Sequence, residues 1–590
     1  MVSFLPNTMP AMNSGRARLV QRAVPFLVIL AVSFWSTAEA WRTPTATVAV
    51  PPQGARTVAL FNVWTMLWNS RQFSQPLDSW WDAPIFHPEK GTFAWSEPQP
   101  FTFLLSPLLL RGQGALAYNL LLLLSLTLNG LLTLRLLRLW GIRFMPRLAA
   151  AIAVTLLPLL HNQLDVLQLT HLWPVIWLIS AMTEHRRAAM SPAAVGGVLL
   201  RGGEAGLAFC TLAACSVHHA LFTAIIMAVT AWVLVPWRHL FRWSVGFIPA
   251  AAIVLLLAGP MLLQMQTLLE QHRFERTTET VERLSVDLID FTVQSPGHWL
   301  LKNPLQHQTW SPLSPGLFRY GSALACCLLL LARAAGKLST GAGTVEICFL
   351  LSFTVVAGIL AMGMHLGTAE QSLWPLLTST VPGLAHVRSP FRFGYFFQLS
   401  TILLAACTLD QLQRLASACT GLKQLLLGAI VITCSGIIAF EILPQPLIRM
   451  GIPSINRIPE WAELIRGRQH AGQGTLILPH VMTPKAADFE PTLRWMIHAT
   501  AAGIPLANGY SGFFPASHYK LLNALRQKRL TQSTLKLLRS RRIRFVVALD
   551  RTTADWVHSA PAGTITELQK LPAAGAVFEL TDPAESQLSE

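Results

Sequence analysis

Residues 114–134 read GALAYNLLLLLSLTLNGLLTL, and Arg135, Arg138, Arg143 and Arg147 follow directly. The run carries no charged side chain and is close to the ~20 residues that an α-helix needs to cross the hydrocarbon layer of a bilayer. Its arginine-rich end is the mark of a cytoplasmic boundary. Comparable apolar runs lie at 23–40, 148–163, 164–182, 205–219, 220–236, 243–265, 318–332, 346–365, 392–412 and 424–443. The reading is therefore a mainly α polytopic transmembrane helical bundle of about 11 spans.

Composition agrees. Of 590 residues, 52% are apolar and only 13% charged, against roughly 25% charged in soluble globular proteins. Mean hydropathy is +0.45. A soluble chain of this size could not cover its surface with so few polar side chains. The 38 Pro and 37 Gly are dispersed, which excludes a low-complexity or fibrous chain. The net charge of +16 sits in short groups between apolar runs, as lipid topology requires, and no basic patch with polar or aromatic readers points to nucleic acid. None of the eight cysteines has CxxC spacing, so neither a zinc site nor a disulfide framework is indicated.

Basic residues recur in alternate connections: Arg186, Arg187 and Arg201; Arg238 and Arg242; Arg333 and Lys337; Arg414 and Lys423. The turns at 161–165 and around His218 carry none. This alternation predicts a cytoplasmic N-terminus, and eleven crossings then put the C-terminal part outside. Residues 23–40 end in small residues, as a secretory signal does, but the succession of later spans makes this an uncleaved first span. The bundle is expected to occupy 1–444, with long outer loops at 41–113 and 266–317. In the first loop, Val58, Phe61, Trp64 and Trp68 recur at helical spacing, which predicts a helix lying in the membrane interface with its aromatic face in lipid. Residues 445–590 alternate short apolar runs, at 475–478, 504–507, 545–549 and 577–580, with helical stretches at 490–502 and 519–529. That reads as a small C-terminal α/β domain. No GxGxxG or GxxxxGK[ST] occurs, so no nucleotide site is indicated.

Several constellations could carry chemistry. Asp82 and Glu97 are set among Trp80, Trp81, Trp95, Pro84 and Pro98, surroundings that desolvate a carboxylate and raise its basicity. Both are expected in one cleft opening toward the outer bilayer face under the 266–317 loop. Their plainer reading is turn capping, or pairing with Lys90 or Arg71. His161, Asp165 and His171 lie at one outer turn, suited to a metal or acid–base role or to a simple His–Asp hydrogen bond. The adjacent His218 and His219 do not converge naturally on one metal. Arg388 and Arg392 bracket Ser389-Pro390, a good N-cap and first helical residue. They stand on the side where topology alone expects no arginines. Either they anchor lipid headgroups, or they join free N–H groups in binding a phosphate.

The runs Trp81-Asp82-Ala83-Pro84-Ile85-Phe86, Ser96-Glu97, Ala117-Tyr118-Asn119-Leu120-Leu121-Leu122, Arg388-Ser389-Pro390-Phe391-Arg392-Phe393 and Asn508-Gly509-Tyr510-Ser511-Gly512-Phe513-Phe514-Pro515 together resemble bacterial multipass proteins of the GT-C glycosyltransferase type. The resemblance covers nearly the whole chain. It implies a polyprenyl-phosphate-linked sugar as donor and an acidic catalytic residue in the first outer loop. Carried over, the carboxylates are Asp82 and Glu97 and the phosphate ligands Arg388 and Arg392. Many relatives place an Asp a few residues before the Asn-x-Trp that is Asn62-Val63-Trp64 here, whereas this chain has Thr57-Val58-Ala59-Leu60.

The function implied is a hexosyl- or pentosyltransferase of the inner membrane. It would act with the lipid bilayer, a lipid-linked sugar and a glycan, lipid or protein acceptor as partners. The cofactor is left open: a divalent metal is compatible with such a reaction, and no ligand spacing indicates one. The alternative is a non-catalytic transporter or scaffold in cell-envelope polysaccharide export. A transporter would show repeated halves and broken spans, and neither is evident.

Overall fold

The computed structural model describes residues 14–581 apart from 74, 76, 193–194, 275, 299–311, 335–342, 369–370 and 484. Lys337 and part of the second long loop thus lie outside the described residues. Each of the eleven apolar runs carries a helix, but among the described residues only eight helices are long and apolar enough to cross a membrane by length and composition. They are Gly114–Leu139, Phe144–His161, Val195–Cys215, Val217–Leu234, Trp237–Leu257, Thr344–Ala361, Pro390–Ala418 and Gly421–Phe440. The other three are helices with shorter apolar sections. Ser14–Ser36 is apolar only over Ala23–Ser36, and Leu317–Ala334 over Leu317–Leu328. Trp173–Met190 carries Glu184, Arg186 and Arg187 in its last turns.

Contacts sort the connections into two groups, one at each end of the bundle. At one end Arg135, Glu184, Arg201 and Glu204 interlock, and Asp410 binds Arg414 and the Arg143 amide. At the other end the two long loops, the turns at 162–172 and Ser216, the 362–389 connection and the C-terminal region meet. There the Ala55 amide donates to Asp165, the Ser216 hydroxyl to Glu97, and Arg276 to the carbonyls of His386 and Gly512.

The helix Arg56–Gln72 is not an interfacial helix. It is buried between the bundle and the C-terminal helix Glu490–Ala502, with residues from Thr57 to Ser70 almost all enclosed. Its polar residues explain why. The Asn69 amide donates to Pro98 and Gln99 carbonyls and to Thr102, and its carbonyl accepts from Trp80. Asn62 accepts from Gln99, and Trp64 Nε1 donates to Thr500 at 2.9 Å. Asn62 and Asn69 are two turns apart on one face, so that face holds the loop; lipid would leave those amides unpaired.

The C-terminal sheet has strand order Gly474–Leu478, Ile543–Ala548, Ala576–Leu580, Ile565–Lys570, the first pair parallel and the rest antiparallel. Alternation along the strands splits the core. Leu476, Leu478, Val546 and Ala548 face the helices Ala516–Leu525, Gln532–Ser540 and Arg551–His558. Ile477, Phe545, Val547 and Val577 join the apolar core that runs through Phe86, Trp64 and Trp95 into the bundle at Phe396 and Leu403. The expected strand at 504–507 is a correction. It makes an isolated bridge from Leu506 to Thr475; Thr475 donates to Pro505 and accepts from Ala507, while Leu506 donates to Pro84 and accepts from His87 of the outer loop. The strand Ile565–Lys570 completes the sheet instead. A two-stranded ribbon, Thr47–Val50 against Ile448–Gly451, ties the start of the first loop to the chain that follows the last span.

Candidate active site

Glu97 follows a turn that buries Trp95 against Phe86, His272 and Phe274, so the second long loop covers this part of the first. The Glu97 carboxylate is 3% exposed. It lies at the start of the helix Val217–Thr230, whose N-cap is Ser216. Its Oε1 accepts from the Ser216 hydroxyl at 3.1 Å and the His218 amide at 2.7 Å, and it also contacts His218 Nδ1. Burial would raise this carboxyl, but the charge and hydrogen bonds of His218, with Arg392 behind, bring it down to about 2. Glu97 is therefore held as a carboxylate. Its second oxygen is buried and unpartnered.

Arg392 faces the same volume. It sits in the tight turn Pro390–Phe393 that opens the helix Gly394–Ala418. Phe393 stacks on Phe222 at 4.1 Å and anchors that turn to the helix that carries His218. Ser389 is at the expected N-cap, yet its hydroxyl makes no capping hydrogen bond, because the first turn is the tighter 3₁₀ type. Arg392 is nearly buried, and its Nε has no partner. Arg388 is exposed beside it.

Sequence reasoning missed a third guanidinium. Arg276 lies 3.6 Å over the Phe513 ring and donates to Gly512 O at 2.8 Å and His386 O at 3.2 Å. Burial and the charges of Arg388 and Arg392 lower it to about 9. It stands in a connection that arginine alternation assigns to the outer side, but Arg273 and Arg283 stand there too, so the charge rule alone does not single it out. The 508–515 motif is the floor under this group. Asn508 exchanges two hydrogen bonds with Ile477. A side chain at Gly509 would meet the Phe86 ring at 2.8 Å.

The structure treats the remaining expected residues differently. Asp82 is bound by Lys90 Nζ and the Gly91 amide, both at 2.8 Å, with its side chain about a third exposed. Its partners are thus those of a turn-capping acid, and none is shared with Glu97. His161 turns away, its Nε2 meeting the carbonyl of Thr155 at 3.0 Å. His171 is buried near Glu97 and His219, and burial together with the His219 charge lowers it to about 3. Asp165 is brought in. Its carboxylate accepts from the Ala55 amide at 3.0 Å, and burial raises it to about 6, against the pull of that amide and of Arg392. Among the described residues no group of three or more His, Cys, Asp or Glu is placed to hold a metal ion.

No family model matches the chain, and no curated protein matches it in sequence. Solved structures do. The arabinofuranosyltransferase AftD from Mycobacteria is similar over 95% of this chain, with 14% identity and a TM-score of 0.54; the match spans only 41% of that longer protein. The oligosaccharyltransferase of Archaeoglobus fulgidus is similar over 91% of this chain and 71% of its own, with 12% identity and a TM-score of 0.51. At these identities the likeness concerns the fold. The chain is a multipass membrane protein with a GT-C-like fold.

Proposed function

We propose that this protein is an integral membrane glycosyltransferase that takes a sugar from a polyprenyl phosphate and passes it to a glycan, lipid or protein acceptor outside the cytoplasmic membrane. The arginine alternation supports a cytoplasmic N-terminus and an extracytoplasmic domain at 445–590 in the inner membrane. One observation carries the reading: Arg276, Arg388 and Arg392 gather at one end of the bundle, and none enters an ion pair among the described residues. Three like charges held together, with Glu97 and Asp165 near Arg392 but neither in ion-pair contact with it, favour an anionic ligand. A phosphate on a lipid is the anion that a site at the membrane face can collect. A scaffold has no need of such a group.

The chemistry is a displacement with inversion. The acceptor oxygen attacks the anomeric carbon and its proton passes to a carboxylate. The bond from that carbon to the phosphate oxygen breaks, and the electron pair leaves with the lipid phosphate, whose charge Arg388 and Arg392 hold. Glu97, ionised and locked to His218, shapes the field opposite Arg392. Incubating the purified protein with labelled polyprenyl-phosphate hexoses and pentoses and a panel of acceptors tests the reading. Release of polyprenyl phosphate coupled to acceptor labelling is expected. An inert protein across the panel would overturn it.

A further inference from the structure

We propose that Asp165 is the base that takes the proton from the acceptor hydroxyl, an assignment that rests on the transferase reading above. Three carboxylates come into question, and their surroundings separate them. Both oxygens of Asp82 are engaged, one by Lys90 and one by the Gly91 amide. Glu97 has three donors on one oxygen, and its other oxygen is sealed from solvent. A carboxylate stabilised in that way is a poor proton acceptor. Asp165 has a single donor from another residue, the Ala55 amide on Oδ2.

Its position is rigid. The Asp165 carbonyl accepts from the Asn62 amide at 3.1 Å and lies 3.3 Å from the Tyr118 hydroxyl. The backbone of 54–55 runs so close that a side chain on Gly54 would stand 3.2 Å from the Asp165 carboxyl carbon. An acid from the 162–172 turn is thereby laid against the stretch just before Asn62, where the first outer loop itself carries only Thr57-Val58-Ala59-Leu60. Arg392 is near enough for its charge to act on Asp165, so the proton acceptor lies in the field of the proposed phosphate-binding cation.

The titratable groups whose charges bear on Asp165 are Arg392 and Tyr395, from the start of the Pro390–Ala418 helix, and Tyr118, from Gly114–Leu139. The 54–62 stretch contributes an amide and Asn62. Burial raises Asp165 to about 6, close to the working pH, where a general base is most effective. In the step, the Asp165 carboxylate gains the hydroxyl proton as the new C–O bond forms. The carboxylic acid then returns that proton to water.

Azide separates this role from a structural one, because it attacks an anomeric carbon without losing a proton. Wild type, Asp165→Asn and Glu97→Gln are assayed with the same labelled lipid donor, once with a hydroxyl acceptor and once with azide. Asp165→Asn should lose about a hundredfold or more in transfer to the hydroxyl while forming glycosyl azide within about threefold of wild type. The acid limb near pH 6 in the wild-type rate should vanish with it. Transfer to the hydroxyl within about tenfold of wild type, or parallel loss of both products, would overturn the assignment. A wild type that turns over neither nucleophile overturns the transferase reading itself, which is a distinct result. Glu97→Gln should impair both nucleophiles alike, since Glu97 holds His218 and its charge acts on Arg392; selective loss of the hydroxyl product there would instead make Glu97 the base and overturn the assignment to Asp165.

Discussion

Two arginine clusters, one at each end of the bundle, are used in opposite ways. At one end Arg135 and Arg201 share Glu184 and Glu204, Trp177 adds a hydrogen bond to Glu204, and Arg414 is paired with Asp410. At the other, Arg276, Arg388 and Arg392 crowd together with no such pairing, and Arg392 keeps a buried unpartnered Nε. A neutralised arginine network has its partners inside the fold. A cluster with no ion pair of its own has donors left for a ligand from outside. The contrast distinguishes an end that holds helices together from an end built to receive an anion.

The largest expected effect comes from Arg392→Lys. A guanidinium grips phosphate through two parallel N–H donors, and an ammonium does not. Losing one charged contact at a developing phosphate costs on the order of 2–4 kcal/mol in the barrier, or about two orders of magnitude or more in rate. Turnover measured with saturating lipid donor checks it, with expression and thermal unfolding as controls. A rate within about threefold of wild type would make Arg388 and Arg392 headgroup anchors and remove half of the contrast.

Asp165 offers a comparable effect on stability, with a definite sign. Its folded-state value, about 6, lies above the ordinary 3.8. The folded protein therefore binds the proton more tightly than the unfolded chain, so stability falls as pH rises between those values. Two units correspond to about 3 kcal/mol. Asp165→Asn keeps an acceptor for the Ala55 amide and removes the buried charge. It should unfold at a higher temperature than wild type at pH 7.5 and show little advantage at pH 4. An advantage that does not shrink on acidification would mean that the carboxylate is not buried as described. Weaker stability at neutral pH would mean that its charge holds the site together.

Arg276→Met should act more modestly. It removes a cation–π contact and two hydrogen bonds to carbonyls and thins the positive cluster without touching Glu97 or Asp165. About a tenfold rise in the KM for lipid donor is expected, some 1.4 kcal/mol, with kcat changed less. A change confined to kcat would place Arg276 with the reacting groups.

Much of this was legible in the sequence, and what was not has physical reasons. Apolar runs bounded by arginines report helices directly, because lipid admits few alternatives. Arg388 and Arg392 were visible because they break the charge rule of their side. The helix Arg56–Gln72 misled, since Val58, Phe61, Trp64 and Trp68 match an interfacial face. What buries them is a helix more than four hundred residues further on, met through Trp64 and Thr500. Asp165 was legible as a candidate beside His161 and His171, but its setting was not: its partner Ala55 is 110 positions upstream, and no local spacing could disclose it. The sheet residues at 474–478, 543–548 and 576–580 were legible from short apolar runs. Leu506 looked the same but was claimed by Pro84 and His87.

The smallest effect belongs to the paired end and tests the contrast from its quiet side. Glu204→Gln removes one carboxylate from between Arg135 and Arg201 while keeping an acceptor for Trp177. These arginines are about 40% exposed, so water and headgroups screen the lost charge. Partly exposed pairs of this kind are worth about 0–1 kcal/mol. Glu184 also remains, bridging both arginines. The variant should therefore unfold within a few degrees of wild type and turn over donor within about twofold. If its turnover instead fell as far as that of Arg392→Lys, at unchanged thermal stability, the neutralised network would be coupled to the reaction across the bilayer. The division of labour between the two ends would then be wrong. If only stability fell, and more than this, the network would still be structural, with its charges less screened than their exposure implies.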